Sequence, residues 1–238
     1  TILRSVKRAL MIKKYDRPKT SFLSKLLILF RQFAFPGSKN YWEKRYSLGG
    51  NSGQGSYGKS AEFKSKLLNK FVRENGISSI TEYGCGDGNQ LAYAKYPQYI
   101  GLDISVQAVE LSSKLFLEDT TKNFFVYDPN DFEANQQRFA ADLVLSLDVI
   151  YHLVEDDVYR KYLSNVFNSA KKFVVIFSSN EEVPGMLHSR HVRHRKFTRD
   201  VEEWFPEWQL LKTFKNNQSK NKSKTNEPSI DFFIFQTC

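Results

Sequence analysis

Short apolar runs alternate with amphipathic stretches over most of the chain after about residue 60. The apolar runs predict five strands, at Ser79–Tyr83, Tyr99–Asp103, Asn123–Tyr127, Asp142–Leu147 and Lys172–Ser178. Apolar residues at helical spacing predict helices at Ser60–Glu74, Asn89–Lys95, Ser105–Glu118 and Asp156–Ala170. Strands that alternate with helices in this way form a parallel sheet with helices on both faces.

The last fifty residues follow a different pattern. Thr198 is predicted to cap a helix from Arg199 to Phe205, which Pro206 ends. The apolar runs Trp208–Phe214 and Asp231–Thr237 flank a loop rich in Lys, Asn and Ser, with no helical pattern between them. Two strands joined without a crossover helix must pair antiparallel.

Glycines at alternate positions mark the end of the first predicted strand. Glu82 is followed by Gly84, Gly86 and Gly88, and a helix is predicted to begin at about Asn89. Glycines here let the backbone approach a ligand closely, and Asp103 at the end of the next strand can accept hydrogen bonds from two ribose hydroxyls. The spacing differs from the G-x-G-x-x-G pattern of dinucleotide sites. An acid two residues before the first glycine suits a cationic ligand.

At these residues the chain resembles the class I S-adenosylmethionine-dependent methyltransferases, over roughly Tyr57 to the C-terminus. The resemblance implies an α/β fold, a Rossmann-like doubly wound seven-stranded sheet with five parallel strands and a C-terminal antiparallel hairpin. It implies S-adenosyl-L-methionine as cofactor, with Asp128 accepting from the adenine amino group and Ile104 against the adenine face. The cofactor-binding residues predicted on this basis are Glu82, Gly84, Gly86, Asp103, Ile104, Asp128, Leu147 and Tyr57.

Three polar side chains follow the fourth predicted strand: Asp148, Tyr151 and His152. Ligands of open parallel sheets bind beyond the carboxyl ends of the strands, so these residues are predicted to be catalytic and to lie at the mouth of the cofactor cleft. His152 is the candidate base, because an imidazole can take a proton from a hydroxyl near neutral pH. The alternative is a structural histidine that bonds a backbone group and shapes the turn.

A cluster of histidines and arginines follows the fifth predicted strand. His191, His194 and Arg195 are predicted to bind the substrate, because arginine matches anionic or polyhydroxylated groups. A solvated basic surface is the alternative. No metal site is expected, since the spacing of these histidines puts only two on one helical face.

The segment Gly53–Ser60 fits the phosphate-binding pattern G-x-x-x-x-G-K-[ST] letter for letter. A nucleotide-binding protein of the P-loop type is therefore the rival interpretation from another class. That motif needs a buried strand directly before it, and the preceding residues 40–47 are too charged for one. The glycine-rich segment is instead expected to be a lid, with Trp42, Tyr46 and Tyr57 capping the ligand, or else a linker.

The net charge of +9 is concentrated at the N-terminus. Residues 1–45 hold twelve lysines and arginines against two acids, and the remainder is close to neutral. We expect a basic arm over residues 1–46 with an amphipathic helix, a glycine-rich lid or linker over 47–58 and a methyltransferase domain over 59–238. The apolar segment Ser21–Phe33 is too short to span a bilayer, which takes about 20 residues. Contact of residues 1–40 with a membrane surface is one expectation, and packing on the domain or on a partner is another.

The expected reaction is O-methylation of a small molecule or glycan, with methylation of a protein side chain as the alternative. No nucleic-acid partner is expected, because the core is neutral and no Asn/Asp-Pro-Pro-aromatic signature follows the fourth strand. Two cysteines provide no disulfide framework and suit a cytoplasmic location. The sequence makes no prediction of oligomeric state.

Overall fold

A computed structural model describes residues 35–183, 189–216 and 228–238. The predicted amphipathic helix of Ser21–Phe33 and most of the basic arm lie outside these ranges, so the expectation of membrane contact stays a prediction. Within the described ranges, no helix combines the length and apolarity needed to cross a bilayer.

The seven predicted strands form one sheet in the order β3-β2-β1-β4-β5-β7-β6. The first five strands are parallel, and β7 runs antiparallel to both β5 and β6. The fold class and all seven strands are therefore confirmed, with shifts of at most two residues at their ends. The strands are β1 Ser79–Tyr83, β2 Gln98–Asp103, β3 Lys122–Val126, β4 Ala141–Leu147, β5 Ala170–Ser178, β6 Trp208–Phe214 and β7 Asp231–Thr237.

The α-helices of the described residues agree less closely with the sequence pattern. They are α1 Ser38–Ser47, α2 Gly58–Glu74, α3 Val106–Leu115, α4 Phe132–Arg138, α5 Asp156–Asn168 and α6 Phe197–Trp204. The pattern missed α1 and α4, which carry few apolar residues at helical spacing.

The helix predicted over Arg199–Phe205 is confirmed as α6, but its predicted cap and one other helix prediction were wrong. The helix predicted over Asn89–Lys95 is a single 3-10 turn, Leu91–Tyr93. Thr198 lies inside α6 rather than capping it, and its hydroxyl donates to the Asn180 side chain.

Successive side chains of the central strands face opposite sides of the sheet and form two apolar layers. On β4, Leu143 and Leu145 pack with Leu68 of α2 on one face, whereas Val144 packs with Leu163 of α5 on the other. All of these side chains are fully buried. The strand order reverses between β1 and β4, because β1 pairs with β2 on one side and with β4 on the other. Open sheets bind ligands at such a switch point, beyond the carboxyl ends of the strands.

Candidate active site

A cavity of about 480 Å³ lies at the carboxyl ends of β1, β2 and β4. This volume is within the range of small-molecule sites. Its wall joins residues that are far apart in the chain, from Gly37 on one side to Tyr162 on the other.

The glycine turn after β1 is fixed by local hydrogen bonds. The backbone N–H groups of Gly84 and Cys85 both donate to the carbonyl of Leu102, at 2.7 and 3.0 Å. Gly84 and Gly86 have φ angles of 81° and 62°, which favour glycine. A Cβ on Gly84 would lie 2.5 Å from Val149, and one on Gly86 would lie 2.3 Å from Ser52. The protein itself therefore occupies the space beside these glycines, which lets neighbouring segments close over the turn.

Asp103 ends β2 and bonds to the glycine turn. Its carboxylate accepts from the N–H of Gly86 at 3.1 Å and from the N–H of Ser105 at 2.9 Å. Burial raises the pKa of Asp103 to about 6, although these backbone hydrogen bonds act to lower it. Two charge-assisted bonds hold the carboxylate in place at the cavity wall.

Glu82 is a second buried carboxylate in the wall, 4 % exposed. It accepts a hydrogen bond from the Tyr99 hydroxyl at 2.7 Å. Burial raises its pKa to about 7, although the Tyr99 bond and the charge of Lys64 act to lower it. A cationic ligand in the cavity would stabilise the ionised form of this group.

Residues 46–57, which we call the roof, lie over the glycine turn and are attached to it by hydrogen bonds to Asp87. The Asp87 carboxylate accepts from the N–H of Ser52 at 2.9 Å and from the Tyr57 hydroxyl at 2.7 Å. The N–H of Asp87 in turn donates to the Ser52 hydroxyl, which also contacts the Tyr46 hydroxyl at 2.9 Å. The predicted lid segment thus lies directly against the glycine turn.

The turn after β4 carries the predicted catalytic residues. Asp148 adopts a left-handed conformation with φ of 60°, which Asp tolerates better than most residues. Its carboxylate accepts from the Tyr151 hydroxyl at 2.9 Å and from the Lys64 ammonium group at 2.6 Å. Asp148 and His152 line the cavity, whereas the half-buried Tyr151 lies outside the wall and contacts Asp148 from there.

The orientation of the His152 ring is fixed by a hydrogen bond to the segment that follows β5. Its Nδ1 lies 3.0 Å from the carbonyl oxygen of His191. A carbonyl only accepts, so Nδ1 carries the proton and Nε2 keeps a free lone pair in the neutral ring. Burial lowers the pKa of His152 to about 4, although the bond to His191 acts to raise it. The ring is therefore neutral at pH 7, and Trp42 of α1 packs on it edge to face at 5.1 Å.

The residues predicted to bind substrate after β5 do not line the cavity. His191 stacks on Tyr41 at 4.4 Å, and His194 Nδ1 contacts the Ser179 hydroxyl at 2.6 Å. Arg195 donates to the carbonyls of Leu153 and Val154 and covers the Tyr159 ring. We call residues 189–196 the clamp, because they form hydrogen bonds to the outer side of the turn that carries His152. The prediction that these side chains face the substrate is not supported by this placement.

Helix α1 is attached to the same turn through Ser38, which is 1 % exposed. Its N–H donates to Glu155 at 2.8 Å, and its hydroxyl donates to the carbonyl of His152 at 2.9 Å. The N–H of Val154 donates back to the Ser38 hydroxyl. The clamp and α1 therefore support the His152 turn from two sides.

Comparison with known proteins agrees with this geometry. The sequence model of the family described as methyltransferase domain matches residues 81–172, from β1 to the start of β5. The chain therefore carries a methyltransferase domain, with a fold similar to that of S-adenosylmethionine-dependent methyltransferases. No curated protein matches the sequence significantly.

Solved structures with a similar fold include methyltransferases of several kinds. The N-methyltransferase NodS from Bradyrhizobium japonicum WM9, with S-adenosyl-L-homocysteine, has a TM-score of 0.63 at 12 % identity, covering 84 % of this chain and 98 % of its own. Magnesium protoporphyrin IX methyltransferase from Synechocystis PCC 6803, also with bound S-adenosyl-L-homocysteine, has a TM-score of 0.56 at 14 % identity, covering 74 % and 83 %. The small RNA methyltransferase HEN1 has a TM-score of 0.57 at 18 % identity, covering 76 % of this chain and 26 % of its own. At such identities the likeness shows the fold alone.

The cavity of the methyltransferase fits S-adenosyl-L-methionine. Asp103 presents a fixed carboxylate for ribose hydroxyls, and Ile104 beside it supplies an apolar surface for adenine. Glu82 and Asp148 provide negative charge for a cationic donor. Gly84, Gly86 and Leu147 line the same wall, so these predicted cofactor residues are brought together.

Two predicted cofactor residues lie elsewhere. Asp128 is exposed and outside the cavity wall, and its carboxylate accepts from the backbone and side chain of Asn130. Tyr57 is 37 % exposed, and its hydroxyl bonds Asp87 rather than facing the cavity. The Asp-Pro-Asn sequence is a turn signal, and it forms a turn here.

The phosphate-loop interpretation of Gly53–Ser60 is wrong in this fold. Helix α1, not a buried strand, precedes the segment. Lys59 is exposed and does not line the cavity. The described residues contain no cluster of His, Cys, Asp and Glu that could hold a metal ion.

Sequence reasoning missed Lys64 and Asp87. Lys64 lies on the buried face of α2 with Ala61, Ser65, Leu68 and Val72. A lysine at the helical spacing of buried positions was a usable signal, because lysine is rarely buried without a partner. The role of Asp87 needed tertiary contacts across 30 or more residues.

Proposed function

We propose that the methyltransferase transfers the methyl group to an oxygen of a small molecule or glycan, with His152 as the general base. The observation that carries this proposal is the hydrogen bond from His152 Nδ1 to the His191 carbonyl. It leaves Nε2 as a proton acceptor on a side chain that lines the cavity.

The side chains around His152 suit a hydroxylated acceptor. Trp42 packs on His152 and offers an aromatic surface, and Asn40 and Asp157 offer polar groups elsewhere in the cavity wall. A hydroxyl can donate to a carboxylate and accept from an amide, so these groups can orient an acceptor without carrying out chemistry themselves. Orienting the acceptor contributes much of the rate in a transfer of this kind.

When bound, S-adenosyl-L-methionine supplies an activated methyl group on a sulfonium centre. The chain then has to position the acceptor and remove its proton. His152 Nε2 accepts the hydroxyl proton, and the charge of Asp148 favours the imidazolium that forms. Tyr151 holds Asp148 in place through its hydroxyl.

The test combines acceptor identification with a His152 variant. Purified protein is incubated with methyl-labelled cofactor and pools of glycans and small hydroxylated molecules, and the labelled product is identified by mass spectrometry and NMR. We expect a methyl ether. His152→Ala should lower turnover by about 10²- to 10⁴-fold, the usual range for loss of a general base, and calorimetry should show unchanged affinity for S-adenosylhomocysteine.

Three results would contradict the proposal. Label on a nitrogen would remove the oxygen assignment, and label on a protein side chain would favour the alternative acceptor class. Full turnover by His152→Ala would leave His152 with a structural role in shaping the turn.

A further inference from the structure

Lys64 is a buried cation in the wall of the donor cavity. It projects from α2 and is 1 % exposed. Burying an ammonium group is costly unless it is paired, and a buried ion pair is weak evidence of a stabilising role. Its position in the cavity wall suggests a function in binding.

The ammonium group retains unused hydrogen-bonding capacity. A lysine offers three N–H donors. Among the described residues, Asp148 is the one hydrogen-bond partner of Lys64, at 2.6 Å. The face of the Phe177 ring lies 5.4 Å away and adds a weaker contact. Two donors therefore remain for a ligand.

The charges at this end of the cavity are unbalanced without an anionic ligand group. The wall also contains Lys39 and Lys161, but the charges that act on the buried Glu82 are those of Lys64, Asp148 and Asp103, so Lys64 is the cation beside these three carboxylates. The methionyl end of the donor carries an ammonium group and a carboxylate. Three acids suit the ammonium and sulfonium groups but repel the carboxylate, which needs a positive partner.

Lys64 lies at the place in the sheet where the methionyl end must go. Asp103 ends β2, on one side of β1. Lys64 pairs with Asp148, directly after β4 on the other side of β1. A donor whose ribose bonds Asp103 and which crosses the switch point brings its amino-acid end towards Lys64.

We propose that Lys64 binds the α-carboxylate of the methionyl end of S-adenosylmethionine, with Asp148 as the partner that holds the ammonium group in position. The inference rests on the identity of the methyl donor and not on the oxygen acceptor. Its test uses ligand binding and needs no acceptor, so its failure is separate from failure of the proposed function.

The experiment removes the same interaction from the ligand and from the protein. Calorimetry compares S-adenosylhomocysteine with its decarboxylated analogue, adenosyl-3-thiopropylamine, on the full chain. We expect the wild type to bind the analogue about 10- to 100-fold more weakly, the range for hydrogen bonds to charged groups. Lys64→Met should weaken S-adenosylhomocysteine by a similar factor and leave the analogue within about threefold. Lys66→Met, an exposed lysine on the same helix, should change neither affinity.

Equal wild-type affinity for the two ligands would overturn the proposal, and this arm needs no variant. Equal weakening of both ligands by Lys64→Met would also overturn it, because Lys64 would then act by shaping the site. If Lys64→Met fails to fold, the double variant Lys64→Met/Asp148→Asn removes both charges of the pair. That variant should likewise lose the preference for the carboxylated ligand, and retention of the preference would refute the assignment.

Discussion

The donor end and the acceptor side of the cavity are built in different ways. The donor end consists of the glycine turn with Glu82 and Asp103, and its main hydrogen bonds join residues about 17 apart, as between Gly86 and Asp103. The side that we propose for the acceptor consists of the His152 turn, held by α1 and the clamp. Its contacts join Ser38 to Glu155, 117 residues apart, and His152 to His191, 39 apart.

This difference explains why a sequence motif identifies the donor but not the acceptor. Two neighbouring parallel strands, β1 and β2, place the glycine turn and the acid together at the same edge of the sheet, so the pattern carries the geometry. The acceptor side depends on segments that meet only in the folded chain. Substitutions at the donor end should therefore change donor binding, and substitutions on the acceptor side should change turnover.

The largest expected effect is on donor affinity, and it distinguishes two aspartates that the sequence predicted to bind the donor. Asp103→Ala should weaken S-adenosylhomocysteine by at least about 100-fold, because it removes charge-assisted bonds of about 1.5–3 kcal/mol each. Asp128→Ala should stay within about threefold, since Asp128 lies outside the cavity wall. Calorimetry with thermal melts of both variants measures this. A large loss with Asp128→Ala would restore its predicted contact with adenine.

The second effect is a pH dependence of the free energy of unfolding, which arises from Glu82 at the donor end when no cofactor is bound. The pKa of Glu82 is raised from 4.5 to about 7 by burial. The folded state therefore holds this proton more tightly than the unfolded state does. Its contribution is fully present below pH 4.5 and is lost as pH rises through about 7, amounting to about 3 kcal/mol of unfolding free energy.

Urea denaturation between pH 5 and 8.5, without cofactor, checks this dependence. Glu82→Gln should flatten it, whereas Glu74→Gln, on the exposed end of α2, should not. An unchanged slope in Glu82→Gln would mean that Glu82 is ionised throughout and that other groups set the pH dependence.

The third effect tests whether the clamp supports catalysis from outside the cavity. Arg195→Ala removes two hydrogen bonds to the carbonyls of Leu153 and Val154. Turnover should fall by about 10-fold through misplacement of His152, while affinity for S-adenosylhomocysteine should change less than about twofold. Arg199→Ala, which loses an exposed ion pair with Glu182, is the matched control. A loss confined to KM for the acceptor would instead support the sequence prediction that Arg195 binds substrate.

The smallest effect tests the attachment of the roof to the donor end. Tyr57→Phe removes the hydroxyl that donates to Asp87 at 2.7 Å. A partly exposed hydrogen bond contributes about 1 kcal/mol, so the donor should dissociate about 3- to 5-fold faster. Stopped-flow displacement of S-adenosylhomocysteine measures this rate. No change in the rate would show that the roof does not control donor release.

Much of the fold followed from local patterns. Leu143 and Leu145 alternate with Val144 because opposite faces of β4 meet different helices, and this alternation is visible in the sequence. Helix α1 was missed because its sequence is mostly polar and its position depends on Ser38 reaching Glu155 and His152. The helix predicted over Asn89–Lys95 failed because the chain leaves the glycine turn in a single 3-10 turn.

The candidate site divides in the same way. The sequence by itself determined the parallel sheet from local alternation, and the glycine turn and the acid at Asp103 from one contiguous stretch, and thereby the kind of methyl donor, because β1 and β2 are neighbours both in the chain and in the sheet. Only the tertiary structure decided that Asp128 and Tyr57 lie outside the cavity wall, that Arg195 grips a turn, and that Lys64 enters the donor cavity. These outcomes depend on contacts between segments distant in the chain, and such contacts have no local periodicity that a sequence could reveal.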